Sequence, residues 1–249
     1  MANPSQVPRF FVESLAPDVQ DLPAGESHHA AHVLRLKARS AVELLDGQGG
    51  RARAEIIECR KGRVAVSVLR REALGERPRP HVHLAFAVPK GKRLDWLLEK
   101  TTELGASSLQ PVIFERSVAG GETLSKSKRE RWLSHCIAAA KQSGSPFLPE
   151  LRPPVKLMEL LSRPHTGVRL LGDAGGDARA LTAVLGAGGA GSEDGNCQIL
   201  IGPEGGLTDD ERRQALGYNF QPVRLGRNTL RIETAALAML AAAIACFDS

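Results

Sequence analysis

The stretch Ile199-Leu200-Ile201-Gly202-Pro203-Glu204-Gly205-Gly206-Leu207-Thr208-Asp209-Asp210-Glu211 decides the fold. The apolar run at 199–201 predicts a buried strand. Gly202, Gly205 and Gly206 permit positive φ and a close approach of backbone to a ligand. Pro203 fixes its own φ and biases Gly202 away from the α region. Thr208 and Glu211 have the spacing of a capping box, so a helix starts there. A strand, a glycine turn and a helix N-terminus together predict a small-molecule site at the carboxyl end of a sheet strand.

The same alternation extends on both sides. Downstream, residues 208–216 predict a helix, 222–225 a strand and 235–247 a helix with no polar face, which is therefore buried. Upstream, 81–88 predicts a strand. Leu94, Leu97, Leu98, Thr101 and Leu104 follow at helical spacing, with Gly105 as the residue that ends the helix. Next come a strand at 109–114 and a helix opened by Ser127 and Glu130 that runs to Gln142. A short strand near Leu151, helices at 156–161 and 178–185 and a strand at 168–171 complete the pattern. The polar, glycine-rich segment 186–195 predicts a surface loop. Strands and helices alternate over residues 81–249, which predicts an α/β domain with a mostly parallel sheet.

Residues 1–73 read differently. Arg9-Phe10-Phe11-Val12 opens a strand, and 27–36 predicts a short helix with Val33 and Leu34 inward. The segments 41–45, 51–58 and 63–69 are strands, the first two joined by the turn Asp46-Gly47-Gln48-Gly49-Gly50. Short strands with tight turns predict a small barrel. Residues 74–80, rich in proline, predict a linker. The domains expected are thus 1–73 and 81–249.

The 249 residues are 24% charged and 42% hydrophobic, with a formal net charge of +5 and more arginine than lysine. This is the balance of a globular protein, and it permits a nucleic-acid partner. Arg9, Arg35, Lys37, Arg39, Arg51, Arg53, Arg60, Lys61, Arg63, Arg70 and Arg71 concentrate charge in the first domain. Arg9, Arg35 and Lys37 there, with Lys90 and Lys92 after the 81–88 strand, are candidate phosphate contacts, the alternative being a solvated charged surface. The four cysteines show no Cys-x-x-Cys spacing and are expected to be free thiols in a reducing compartment. His28 and His32 stand four apart without the accompanying carboxylate of a zinc site, so no metal is expected. Without a signal pattern or a membrane-length apolar run, the expected location is cytoplasmic.

Three glycine-bearing turns follow strands: Leu171-Gly172-Asp173, the 201–206 turn, and Leu225-Gly226-Arg227-Asn228-Thr229-Leu230. All three can share one pocket beyond the carboxyl ends of the sheet. No Gly-x-Gly-x-x-Gly opens the α/β region and no Walker A loop occurs, so a nucleotide phosphate is not the evident ligand.

Ile201-Gly202-Pro203-Glu204-Gly205-Gly206-Leu207, Glu211, Leu225-Gly226 and Leu230-Arg231-x-Glu233-Thr234-Ala235 together resemble the RsmE family. That family comprises methyltransferases of the SPOUT class that act on N3 of a uridine in small-subunit (16S) ribosomal RNA. Arg9-Phe10-Phe11, His32-Val33-Leu34-Arg35, Asp46-Gly47-Gln48-Gly49 and Thr102-Glu103-Leu104-Gly105 extend the resemblance over most of the chain. It implies a SPOUT-type α/β trefoil-knot domain preceded by a small PUA-like β-barrel that holds RNA, in a homodimer. It also implies S-adenosylmethionine as cofactor. The cofactor residues would be Leu171, Gly172, Ile201, Gly202, Glu204, Gly205, Leu225, Gly226, Leu230 and Thr234. Arg231 and Glu233 would be catalytic. The family usually has arginine where Asn228 and Ser145 stand here. The alternatives are a SPOUT methyltransferase for another RNA or for ribose 2′-oxygen, and an RNA-binding homologue without catalysis.

Overall fold

The structure is a computed structural model and describes residues 7–60, 62–73, 75–117, 124–185 and 195–247. The predicted loop 186–195 lies outside these residues except for Gly195. The chain divides into two compact units, Met1–Arg77 with Ile137–Leu148, and Pro78–Cys136 with Pro149–Ser249.

The first unit contains β1 (Arg9–Phe11), β2 (Val19–Asp21), α1 (Ala24–His28), a π-helical turn (His29–Val33), β3 (Ala41–Leu45), β4 (Gly50–Arg60) and β5 (Arg63–Ala73). They form one sheet in the order β1-β3-β4-β5-β2, in which only β1 and β3 run parallel. No pairing joins β1 to β2 among the described residues, so the expected barrel keeps a seam there. Period-two alternation places Ala52, Ala54, Ile56, Val64 and Val66 inside with Phe10, Val42 and Leu44. The predicted helix at 27–36 begins earlier and faces the other way. Ala30 is buried, whereas Val33 and Leu34 are exposed.

The sequence placed all of 81–249 in the second domain, yet Ile137–Leu148 packs in the first unit. Arg9 Nη1 donates to the carbonyls of Lys141 and Gln142 at 3.1 and 3.2 Å, and Lys141 Nζ lies 2.7 Å from both Glu26 carboxylate oxygens. The glycine turn takes part as well. Leu148 N–H donates to Gly47 O, and Gly49 N–H donates to Pro146 O, both at 2.9 Å. Gly47 and Gly49 have φ of +75° and +100°, and a Cβ on Gly49 would lie 2.6 Å from the Phe147 ring. Both positions therefore demand glycine.

The second unit contains β6 (His81–Ala87), α2 (Lys92–Glu103), β7 (Ser108–Ile113), α3 (Lys126–Ser143, up to Cys136), β8 (Glu150–Leu151) and β9 (Val155–Lys156). It continues with α4 (Leu157–Leu161), β10 (Val168–Gly172), β11 (Arg179–Ala180), α5 (Leu181–Leu185), β12 (Asn196–Ile201), α6 (Asp209–Gly217), β13 (Gln221–Arg224) and α7 (Ile232–Phe247). The strands form a parallel sheet in the order β11-β13-β10-β12-β6-β7-β8, with β9 also on β7. Three local expectations shift. Ser125, not Ser127, opens α3, its Oγ accepting from Lys128 N–H at 3.3 Å. Residues 179–180 pair with β13 before α5 starts. α7 begins at Ile232 and buries one face, Ile232, Ala236, Met239, Leu240 and Ala243, while Ala245 and Cys246 are exposed.

One polar row crosses this apolar sheet: Arg169, Gln198, His83, Ser108 and Glu150 are register neighbours on five adjacent strands. His83 Nδ1 lies 2.8 Å from Ser108 Oγ. Burial, followed by the nearby Arg152, His165 and His81, lowers the His83 pKa from 6.5 to about 4. As pH falls from 6.5 toward 4 the unfolded chain takes up a proton here and the folded chain does not. Stability is therefore lost over that window. The loss from this group is about 2 kcal/mol after allowance for its partial exposure. Denaturant titrations at pH 7 and pH 4.5 should show it, and His83→Gln should flatten that part of the profile. An equal pH dependence in the variant would remove His83 as the source.

Candidate active site

Register aligns the carboxyl ends of three neighbouring strands. Gly172 of β10 pairs with Ile201 of β12 on one side and with Val223 of β13 on the other. The three glycine-bearing turns therefore leave the sheet side by side. Beyond them lies a cavity of about 300 Å3, at the small end of the range for ligand sites. Leu171, Ile201, Leu207, Leu230 and Met239 give it apolar walls.

Two glycines let its walls pack closely. A Cβ on Gly202 would run into the Leu207 side chain, and one on Gly172 would lie 2.8 Å from Ile201 Cδ1 and 3.1 Å from Met239 Sδ. The positive φ expected in the glycine turn occurs at Gly206, at +70°. The capping box after the turn forms as predicted. Glu211 N–H donates to Thr208 Oγ1, and Thr208 N–H donates to Glu211 Oε2. The buried Glu211 also accepts from Glu115 N–H at 2.7 Å, which joins α6 to the end of β7.

Arginines brace the turns that follow β10 and β12. Arg93 Nη1 lies 3.1 Å from Glu204 Oε1, and Arg116 Nη1 donates to Gly205 O at 3.0 Å. Arg212, in α6, holds Asp173 at 2.7 Å and Asp177 at 2.6 Å. Its hydrogen bonds raise its own pKa further and lower that of Asp177. Arg224, at the end of β13, donates to Ala178 O at 3.1 Å.

Of the residues singled out in the sequence, Leu171, Gly172, Ile201, Gly202, Glu204, Leu225, Gly226 and Leu230 line the cavity. Gly205 and Thr234 do not; Gly206 and Ala235 line it in their place. Arg231 and Glu233 flank the lining residue Ile232 without lining the cavity themselves. Arg231 is exposed, whereas Glu233 is 7% exposed and its Oε2 has no hydrogen-bond partner among the described residues. Arg9 lies in the first unit, where its Nε is 2.7 Å from Glu43 and its Nη1 is on two carbonyls. Arg35, Lys37, Lys90 and Lys92 are exposed.

Sequence reading missed the α7 wall and the arginine braces. Ile232, Ala235 and Met239 stand three and then four residues apart, so helical spacing carried back from the apolar run would have found them. Arg212 and Arg224 carry no local signal, because each is defined by a carboxylate or carbonyl on another turn.

A profile of the RNA methyltransferase domain matches residues 76–244, and one of the RNA methyltransferase PUA domain matches residues 22–69. Ribosomal RNA small subunit methyltransferase E of Synechocystis is 34% identical over 92% of this chain and 73% of its own length. The chain belongs to the RsmE family of RNA methyltransferases. The RsmE protein of Neisseria gonorrhoeae, solved bound to S-adenosylmethionine, superposes with a TM-score of 0.81 at 30% identity, over 95% of this chain and 96% of that one. A methyltransferase of Legionella pneumophila in complex with the same cofactor gives 0.86 at 27% identity, over 96% and 98%. The RsmE fold is thus present end to end, a PUA-like domain followed by a SPOUT-type methyltransferase domain. Asn228, where the RsmE family usually carries arginine, lines the cavity. Ser145, the other departure, closes a local turn by donating from Oγ to Phe147 O at 3.0 Å.

Proposed function

We propose that the protein transfers a methyl group from S-adenosylmethionine to N3 of a uridine in 16S ribosomal RNA of the small subunit. The observation that carries this reading is the cavity at the ends of β10, β12 and β13. Its apolar walls suit an adenine, Gly206 and Gly226 among its lining residues leave open space beside the backbone, and residues 76–244 match the RNA methyltransferase profile. The S-adenosylmethionine-bound relatives support the choice of cofactor.

The cofactor supplies an electrophilic methyl group on a sulfonium. Leu171, Ile201, Leu225 and Leu230 would hold the adenine, and backbone groups at Gly202, Leu225 and Leu230 would meet its polar edge and the ribose. Uracil N3–H is a weak acid and must lose its proton as the new bond forms. The exposed Arg231 guanidinium stabilises the negative charge developing on the uracil oxygens. Glu233 keeps a carboxylate oxygen unpartnered in the first turn of α7, where the helix dipole favours negative charge. Placement of N3 in line with the methyl group supplies much of the rest.

In this reading the three adjacent turns are the crossings of a trefoil knot. The α7 face that carries Ala238, Ala241 and Ala245 is apolar and incompletely buried in one chain, and a second copy covers it to make the homodimer. Arg35 and Arg39 hold φ of +52° and +70° on either side of Lys37. Such backbone costs about 1 kcal/mol or more per residue and concentrates at functional loops, so this loop is assigned to RNA phosphates. Lys90 and Lys92 are assigned to the same partner. Arg9 serves its own unit instead. The protein works in the cytoplasm, where its substrate is assembled.

Titration calorimetry tests the reading. One S-adenosylmethionine should bind per chain, and absence of binding by folded protein would sink the methyltransferase assignment. Mass mapping of 16S ribosomal RNA with and without the protein should show one methyl group lost from a uracil; loss from ribose would overturn the target.

A further inference from the structure

Of the two tryptophans, Trp132 is 6% exposed and Trp96 is 44% exposed. An indole left in solvent in the middle of a helix wastes a large apolar surface unless something covers it. Trp96 lies one helical turn beyond Lys92 and Arg93, so these three share one side of α2. Arg93 reaches Glu204 on the cavity rim, which places this side of α2 beside the candidate active site.

The charge around Trp96 is selective. Each carboxylate of α2 already has a cationic or imidazole partner. Asp95 lies 3.1 Å from Arg131, Glu99 lies 3.1 Å from His135, and Glu103 lies 2.6 Å from Lys100. Arg116 spends its hydrogen bond on a neutral carbonyl and keeps its full charge. Lys90 and Lys92 are exposed. Among the described residues no ion pair engages Lys90, Lys92 or Arg116, and Glu115 next to Arg116 is an exposed carboxylate, so the described surface on this side of α2 is rich in cations. A flat aromatic face bordered by cations binds a stacked base with its phosphates on either side.

We propose that Trp96 is a stacking platform for a nucleobase flanking the methylated one, with Lys90, Lys92 and Arg116 on the adjoining phosphates of single-stranded RNA. This rests on the assignment of an RNA substrate to the same cavity. It adds a residue that grips the strand next to the target without touching the reacting atoms.

The fluorescence of Trp96 makes the idea measurable. Acrylamide should quench one tryptophan in the free protein, and an oligouridylate of about 12 nucleotides, within the usual single-strand site sizes, should protect it. Trp96→Ala should weaken that RNA by about 10-fold or more, because stacking is lost. Trp96→Phe should restore most of the affinity, and both variants should bind S-adenosylmethionine as the parent does. In turnover with ribosomal RNA, Trp96→Ala should raise KM for RNA more than it lowers kcat. Unchanged RNA affinity in Trp96→Ala overturns the proposal. So does a Trp96 already shielded from acrylamide without RNA, which would mean a second protein chain covers it. Failure of cofactor binding alone would strike the methyltransferase reading and leave the quenching result standing.

Discussion

Arg231→Ala is expected to lower turnover by ~10²-fold or more while S-adenosylmethionine affinity stays within about a few-fold. The two effects separate because of where the residue stands. Leu230 and Ile232 line the cavity, but Arg231 between them does not, and its side chain is exposed. Removing it takes nothing from the cofactor walls. In the proposed mechanism, what disappears is a cation that would sit beside the negative charge developing on uracil, so the loss would fall on the transition state more than on the ground state. Single-turnover kinetics at saturating cofactor, set beside calorimetry, would read the two quantities apart. Parent-like turnover would remove Arg231 from the chemistry.

The second large effect concerns space. Gly202→Val should abolish measurable cofactor binding, a loss of about 100-fold or more, with thermal unfolding changed far less. The new Cβ would collide with the Leu207 side chain, and Leu207 is itself a wall of the cavity. Relief of the clash pushes one of the two side chains into the space the ligand needs. Gly217, the last residue of α6, is the internal control. It does not line the cavity and a Cβ there meets nothing within 4 Å, so Gly217→Ala should bind the cofactor nearly as the parent does. A Gly202→Val protein that bound the cofactor normally would separate the cavity from its assigned ligand.

These two residues also mark how much the sequence made legible. Gly202 was readable because strand, turn and helix cap are local signals, and the α6 capping box formed on the residues that spelled it. The apolar strand cores and the parallel character of the sheet were readable for the same reason. The RsmE motifs then supplied what periodicity does not, the identity of a ligand. What failed was non-local. Nothing in 137–148 announces that Lys141 meets Glu26 or that Leu148 meets Gly47, since those partners lie about a hundred residues away. Val33 and Leu34 were assigned inward by hydrophobicity, yet the π-helical turn rotates them outward. Arg9 stands out in the sequence only as a basic residue, and its pairing with Glu43 and the helix-end carbonyls has no local signal.

The bracing of the turns bears on when in its life the chain can act. β6, the first strand of the sheet, pairs with β12 more than a hundred residues later, His81 opposite Asn196. Arg93 and Arg116 wait for the 204–205 turn, and Asp173 and Asp177 wait for Arg212. Met239 and Ile232 close the cavity last. A chain that ends before α7 lacks Ile232, Ala235 and Met239 from the cavity wall. Such sequence-distant closures are also slow to form. The cavity therefore has its full set of walls only once α7, the last helix, has packed against the sheet.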